Sequence, residues 1–174
     1  TSTSDHTSTE LLDGVYYWAV RATDGAGNNG PQSSVFTFLV DTAQPSAPNL
    51  IAPADQTATA DNTPAFDWSD ATDASPSSGV LYDLFVDNTN DFSTPEVQAN
   101  NLAASDYVVG TALADGTYFW KVKSKDQAGN DPNSGIFTFT IDTTTPSITA
   151  ATLTPNIVGT TAQITITKTV TDAV

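Results

Sequence analysis

From residue 64 to residue 142 the chain repeatedly alternates apolar and polar side chains over short runs. In PAFDWSD, Phe66 and Trp68 fall on one side of an extended chain and Asp67 on the other. VLYDLFVDN puts Tyr82, Leu84 and Val86 together, with Asp83 and Phe85 opposite. TYFWKVKSK sets Tyr118, Trp120 and Val122 against Phe119, Lys121, Lys123 and Lys125, and IFTFTID sets Phe137, Phe139 and Ile141 against Thr138, Thr140 and Asp142. A period of two predicts strands with one face buried and one face wet. Gly, Pro, Asn and Asp separate the runs, as turns require. Weaker strands near Leu50, Val97 and Tyr107 bring the expected number to seven, which in about one hundred residues predicts an all-β sandwich of two antiparallel sheets.

The pattern is used more than once. DGVYYWAVRATDGAGN (Asp13 to Asn28) matches DGTYFWKVKSKDQAGN (Asp115 to Asn130), with Trp18 and Trp120 102 residues apart. VFTFLVDTAQPS (Val35 to Ser46) matches IFTFTIDTTTPS (Ile136 to Ser147) at a separation of 101. A self-match at this period predicts tandem domains. Pro45, Pro48 and Pro146 mark the boundaries, since proline cannot donate to a sheet ladder. Residues 43–143 read as a complete repeat, 1–42 as the C-terminal strands of a preceding copy, and 144–174 as the first strands of a following immunoglobulin-like domain.

Composition narrows the functional classes. Twenty acidic residues against five basic ones give a net charge of −15, which opposes binding to nucleic acid and suits a divalent cation. Only Glu10 and Glu96 of the acids are not Asp, a turn-forming and metal-binding residue. No run is long and apolar enough to span a membrane, and TSTSDHTSTE has no signal-peptide pattern, so a signal of an exported protein would lie outside this sequence. With no Cys, a single His (His6) and no G-x-S-x-G elbow, thiol, His-metal and serine-triad chemistry lack their residues. The chain reads as non-catalytic.

FDWSD, LYDLFVD and LADGTYFWKVKSKD resemble the second, third and sixth strands of fibronectin type III domains in their bacterial extracellular form. The resemblance implies a core built on Trp18, Trp68, Tyr118 and Trp120, and a tyrosine corner at Tyr118 and, in the first copy, Tyr16. It also implies an extracellular or cell-surface prokaryotic setting. TLTPNIVGTTAQITITKTVTD has no Trp at the place of Trp68 and resembles the opening strands of a different bacterial immunoglobulin-like module.

Candidate sites are few. Asp24 and Asp126 open the DGAGN and DQAGN turns, and Asp41 and Asp142 end the last strands beside the linkers. The adhesin arrays these strings resemble carry calcium at domain junctions, which makes these four Asp candidate calcium ligands; turn chemistry accounts for the same residues without a metal. Tyr17, Phe85 and Phe119 are expected on outward faces and are candidates for a sugar-binding platform. Lys121, Lys123 and Lys125 form a basic stripe that reads as a solvated face. Lys168 shares the apolar face of its strand with Ile164, Ile166 and Val170, and reads as snorkelling at a strand end or as one partner of an isopeptide bond. Two functions follow: a spacer in a surface array such as an adhesin stalk, surface layer or filament, with neighbouring repeats as partners and assembly by strand addition; or an accessory spacer or weak sugar-binding module of a secreted polysaccharide-degrading enzyme.

Overall fold

The computed structural model describes residues 5–74, 76, 79–158 and 161–171, with side chains as far as residue 148. The described residues form strands, turns and loops without a helix. Four short strands come first: β1 (Gly14–Trp18), β2 (Arg21–Thr23), β3 (Asn29–Gln32) and β4 (Phe36–Val40). β1 pairs antiparallel with β4, and β2 with β3.

After the linker come β5 (Leu50–Ala52), β6 (Thr57–Thr59), β7 (Ala65–Trp68), β8 (Leu81–Asp87), β9 (Val97–Leu102), β10 (Asp106–Val108), β11 (Gly116–Lys125) and β12 (Phe137–Ile141). They form a three-stranded sheet in the order β10-β7-β5 and a five-stranded sheet in the order β6-β12-β11-β8-β9. The expected β-sandwich is present, with one strand more than the seven expected. The extra strand is β6, which reads Thr-Ala-Thr and pairs parallel with β12. It has no apolar alternation because it lies at a sheet edge and buries no large side chain. A last hairpin, β13 (Ser147–Val158) with β14 (Thr161–Thr171), is antiparallel. The side chain of Lys168 lies outside the described residues.

The core lies between the two sheets. Phe66 and Trp68 of β7 meet Tyr82, Leu84 and Val86 of β8, Tyr118, Trp120 and Val122 of β11, and Phe139 and Ile141 of β12. Phe66 meets Trp120 edge to face at 5.0 Å between centroids and Phe139 at 5.7 Å, while Trp68 meets Tyr82 at 5.6 Å. These offset geometries are the ones the ring quadrupoles favour. The inward positions read from alternation on β7, β8 and β11 are the buried ones.

The first copy has the same β-pair but not the same burial. Trp120, Val122 and Phe139 are 0, 0 and 1% exposed, whereas their counterparts Trp18, Val20 and Phe38 are 48, 60 and 42% exposed. Trp18 is therefore not a core residue among the described residues, a correction to the sequence expectation. β11 and β12 face the β10-β7-β5 sheet; β1 and β4 form a two-stranded sheet with no second layer over them there. Stacking of Tyr16 on Phe38 (5.5 Å) and of Trp18 on Phe36 (5.2 Å) lets the side chains of this face partly cover one another.

Both tyrosine corners close. Tyr118 Oη donates to the Ala114 carbonyl at 3.0 Å, and Tyr16 Oη to the Leu12 carbonyl at 2.8 Å. A buried hydrogen bond of this kind contributes on the order of 1 kcal/mol, and an exposed one less. Tyr118→Phe should lower the unfolding free energy by about 1 kcal/mol in urea titration, and Tyr16→Phe should leave it within error.

Candidate metal centre at the linker

The turn Asp126–Asn130 is built by one carboxylate and one glycine. Asp126 Oδ1 accepts the backbone N–H of Gly129 (2.7 Å) and Asn130 (2.9 Å), and its Oδ2 accepts the Asn130 side-chain amide (2.7 Å). Gly129 sits at φ 99°, where a side chain would be strained. Burial pushes the Asp126 carboxyl up, but the hydrogen bonds from Asn130 and Gly129 outweigh it and hold the group below the ordinary Asp value. Asp24 in the first copy accepts the backbone N–H of Ala26 (3.0 Å) and Asn28 (2.8 Å) and the Asn28 side-chain amide (2.9 Å), is exposed, and is likewise held low by the Asn28 side chain and backbone.

In the second copy the turn has an additional task. The Asn130 amide also donates to the carbonyls of Asp41 (3.2 Å) and Ala43 (2.8 Å), which belong to the linker. Ser46 adds to the attachment: its carbonyl accepts the Ser124 hydroxyl at 2.9 Å, its N–H donates to the Thr72 carbonyl at 2.8 Å, and its hydroxyl accepts the Thr72 N–H at 2.8 Å. Residues 41–46 are thus fastened to the sandwich at two places.

This fastening brings three carboxylates together. One oxygen from each of Asp41, Asp73 and Asp126 lies within 4.8 Å of the other two; Asp41 and Asp126 are buried and Asp73 is half-buried. Donors about 2.4 Å from one calcium ion lie no more than about 5 Å apart, so the separation fits a shared hard cation. Two unit charges at such a distance repel by roughly 3 kcal/mol at an effective dielectric of 20, and a divalent ion would reverse the sign of that term. The donors are all oxygen, as calcium prefers and zinc does not.

Of the four Asp predicted from the sequence, Asp41 and Asp126 enter this cluster. Asp24 lies in the first copy's exposed turn. Asp142 stands at the far linker, where it accepts the Thr144 N–H at 3.0 Å. Asp73 was missed. It sits in the loop DATDASP between β7 and β8, and only the folding of that loop against residues 41–46 brings it close; the one sequence signal was a second acidic residue shortly after FDWSD.

The predicted aromatic platform is divided. Phe85 and Phe119 share the outer face of the five-stranded sheet, while Tyr17 lies on β1 of the first copy and is 72% exposed. The basic stripe is not simply solvated. Lys123 pairs with Asp131 and Lys125 with Asp83, each at 2.8 Å, and the Lys121 ammonium lies 4.3 Å from the Phe92 ring centroid and 5.6 Å from that of Phe85.

Comparison with known proteins bears on the fold and the setting. Exoglucanase B of Cellulomonas fimi is 32% identical to this chain over 177 residues, which covers 97% of the chain but 15% of that protein. Among solved structures, Streptomyces avermitilis alpha-L-rhamnosidase complexed with L-rhamnose matches at a TM-score of 0.40 and 19% identity, over 57% of this chain and 10% of that one. The chain therefore spans only a small part of either protein. A family profile described as "Bacterial Ig-like domain" matches residues 52–143. That stretch is more than half of the chain and contains β6 to β12, so the chain belongs to the bacterial Ig-like domain family, whose module here is a non-catalytic β-sandwich.

Proposed function

We propose that this chain is a non-catalytic spacer from an extracellular bacterial protein, serving as an accessory module beside a polysaccharide-degrading domain. The observation that carries the reading is the fastened linker: Asn130, Ser124 and Thr72 hold residues 41–46 onto the sandwich. A spacer sets distance and direction between its neighbours, and a linker bonded to the module's surface resists bending in a way that a free Gly/Ser linker does not. The likeness to a stretch of an exoglucanase supports the accessory setting over a stalk in an adhesive surface array.

Calcium at Asp41, Asp73 and Asp126 is part of the proposal. The ion would tie the linker (Asp41), the β7–β8 loop (Asp73) and the β11–β12 turn (Asp126) into one unit, with water completing the oxygen shell. Calcium at ten times its dissociation constant stabilises the folded state by about 1.4 kcal/mol. The thermal midpoint should accordingly rise by several degrees on adding calcium to chelator-treated protein, and Asp126→Asn should abolish most of the rise. X-ray scattering on the same samples tests the spacer: the maximum particle dimension should be unchanged between low and high salt when calcium is bound. A midpoint that ignores calcium removes the ion from the proposal, and a dimension that varies freely with salt removes the spacer.

A further inference from the structure

The outer face of the five-stranded sheet carries aromatic rings where a wet sheet face is ordinarily polar. Phe119 of β11 lies opposite Thr138 of β12 and Asp87 of β8. Phe85 of β8 lies opposite Lys121 of β11 and Gln98 of β9. The two rings are diagonal neighbours on adjacent strands, a separation that aromatic side chains span.

A third ring is held there against a conformational cost. Phe92 has φ 54°, a left-handed conformation that bulky residues rarely adopt and that costs on the order of 1–3 kcal/mol. The loop holding it is tied down by Asp87, by Asp91, which accepts the Thr89 hydroxyl and the Ser93 N–H, and by Glu96, which accepts the Asn88 N–H and side-chain amide. The Lys121 ammonium lies beside this ring and that of Phe85, and the two neighbouring lysines are neutralised by Asp131 and Asp83. In a chain of net charge −15 this face gathers three of the five basic side chains, Lys121, Lys123 and Lys125.

Its border sets amides and hydroxyls beside the exposed carboxylates of Asp55, Asp91 and Glu96. Gln98 and Asn100 stand exposed along β9, and the hydroxyls of Thr117 and Thr140 meet at 3.3 Å beyond Phe119. Flat rings bordered by amides and hydroxyls suit a partner with apolar C–H faces and many hydroxyls, rather than an anionic chain or a deeply inserted protein anchor. One ring of this face has a counterpart in the first copy, where Tyr17 lies opposite Thr37 as Phe119 lies opposite Thr138. A second ring on the same chain would add a contact to a long polymer.

We propose that this face, centred on Phe85 and Phe119 and supported by Lys121 and Gln98, is a shallow contact surface for an uncharged polysaccharide, with Tyr17 at the corresponding place in the first copy. The proposal deepens the accessory-module reading and rests on it for the class of polymer. The test is retention of the whole chain on microcrystalline cellulose and on insoluble xylan, and retardation in native gels containing hydroxyethylcellulose. The unsubstituted chain should be held by at least one of the three. Phe85→Thr with Phe119→Thr should weaken that binding on the order of ten-fold, the equivalent of about 1.4 kcal/mol. Ile51→Thr, on an exposed position of the other sheet, should leave it unchanged. Tyr17→Thr alters a side chain that is 72% exposed and should weaken binding several-fold without moving the thermal midpoint; it decides the matter if the double variant unfolds. No retention on any of the three polymers overturns the proposal, as does retention indifferent to both sets of substitutions. Either result leaves the spacer reading to its own scattering test.

Discussion

Trp120→Ala should lower the unfolding free energy by about 3–5 kcal/mol, the range for removing a large aromatic side chain from a packed core. Trp120 is fully buried, with Phe66 at 5.0 Å and Phe137 at 6.0 Å between ring centroids. Both sheets lose a contact, because Phe66 belongs to the facing layer, and a rigid sandwich cannot close over the vacated volume. The indole nitrogen finds no hydrogen-bond partner among the described residues, so Trp120→Phe, which keeps a ring and gives up only that N–H and some volume, should cost less than half as much. Trp18 supplies the internal control. It occupies the equivalent place in the repeat but is 48% exposed, and Trp18→Ala should cost under about 1.5 kcal/mol. The three variants, compared by urea titration followed by far-ultraviolet dichroism, check the prediction. Equal losses at Trp18 and Trp120 would mean that the first β-pair is as deeply covered in solution as the second.

The second large effect is expected at Asp87. This carboxylate is 0% exposed and lies at the end of β8, on the outer side of the sheet beneath residues 88–96. It accepts the Thr89 N–H at 2.9 Å, the Thr89 hydroxyl at 3.0 Å and the Thr94 N–H at 3.2 Å. Asp87→Ala would leave the Thr89 and Thr94 N–H groups without their acceptor, while the Thr89 hydroxyl keeps Asp91, and each partly buried donor so stranded costs about 1–3 kcal/mol. Water entering the loosened loop recovers part of that, so a net loss of about 3 kcal/mol is expected. Asp87→Asn keeps one acceptor oxygen and should lose roughly half as much. The two variants also differ in what they do to the face above: release of the loop frees Phe92 from Lys121, which one-dimensional NMR would register as a shift of the Lys121 side-chain protons out of the ring current.

The sandwich was readable because its main strands are wet on one face only. β7, β8, β11 and β12 bury every second residue, and period two then identifies Phe66, Leu84, Trp120 and Phe139 without any tertiary information. β6 was not readable, since Thr57–Thr59 owes its conformation to hydrogen bonds from β12 and not to side chains of its own. Burial of Trp120 was legible, but exposure of Trp18 was not: the local strings are nearly the same, and what differs is the layer packed over them. The candidate metal centre divides in a similar way. Asp126 and Asp41 were found because the repeat draws attention to the turn and the linker, while Asp73 comes from a loop that has no pattern and gains its meaning only by proximity. Asp87 was likewise assigned no role, because alternation places it on the outer side of β8 and cannot foresee a loop folding over it.

The parallel pairing of β6 with β12 has a mechanical consequence. Tension along the polypeptide reaches β6 from its N-terminal side and β12 from its C-terminal side. In a parallel pair those two pulls run in opposite directions along the strand axes, so the rungs Thr57↔Phe139, Ala58↔Thr140 and Thr59↔Ile141 are loaded in shear and bear the force together. A pair arranged to be peeled open from one end would instead break one rung at a time. Three residues that bury almost nothing are therefore placed where a module pulled between its neighbours would have to yield.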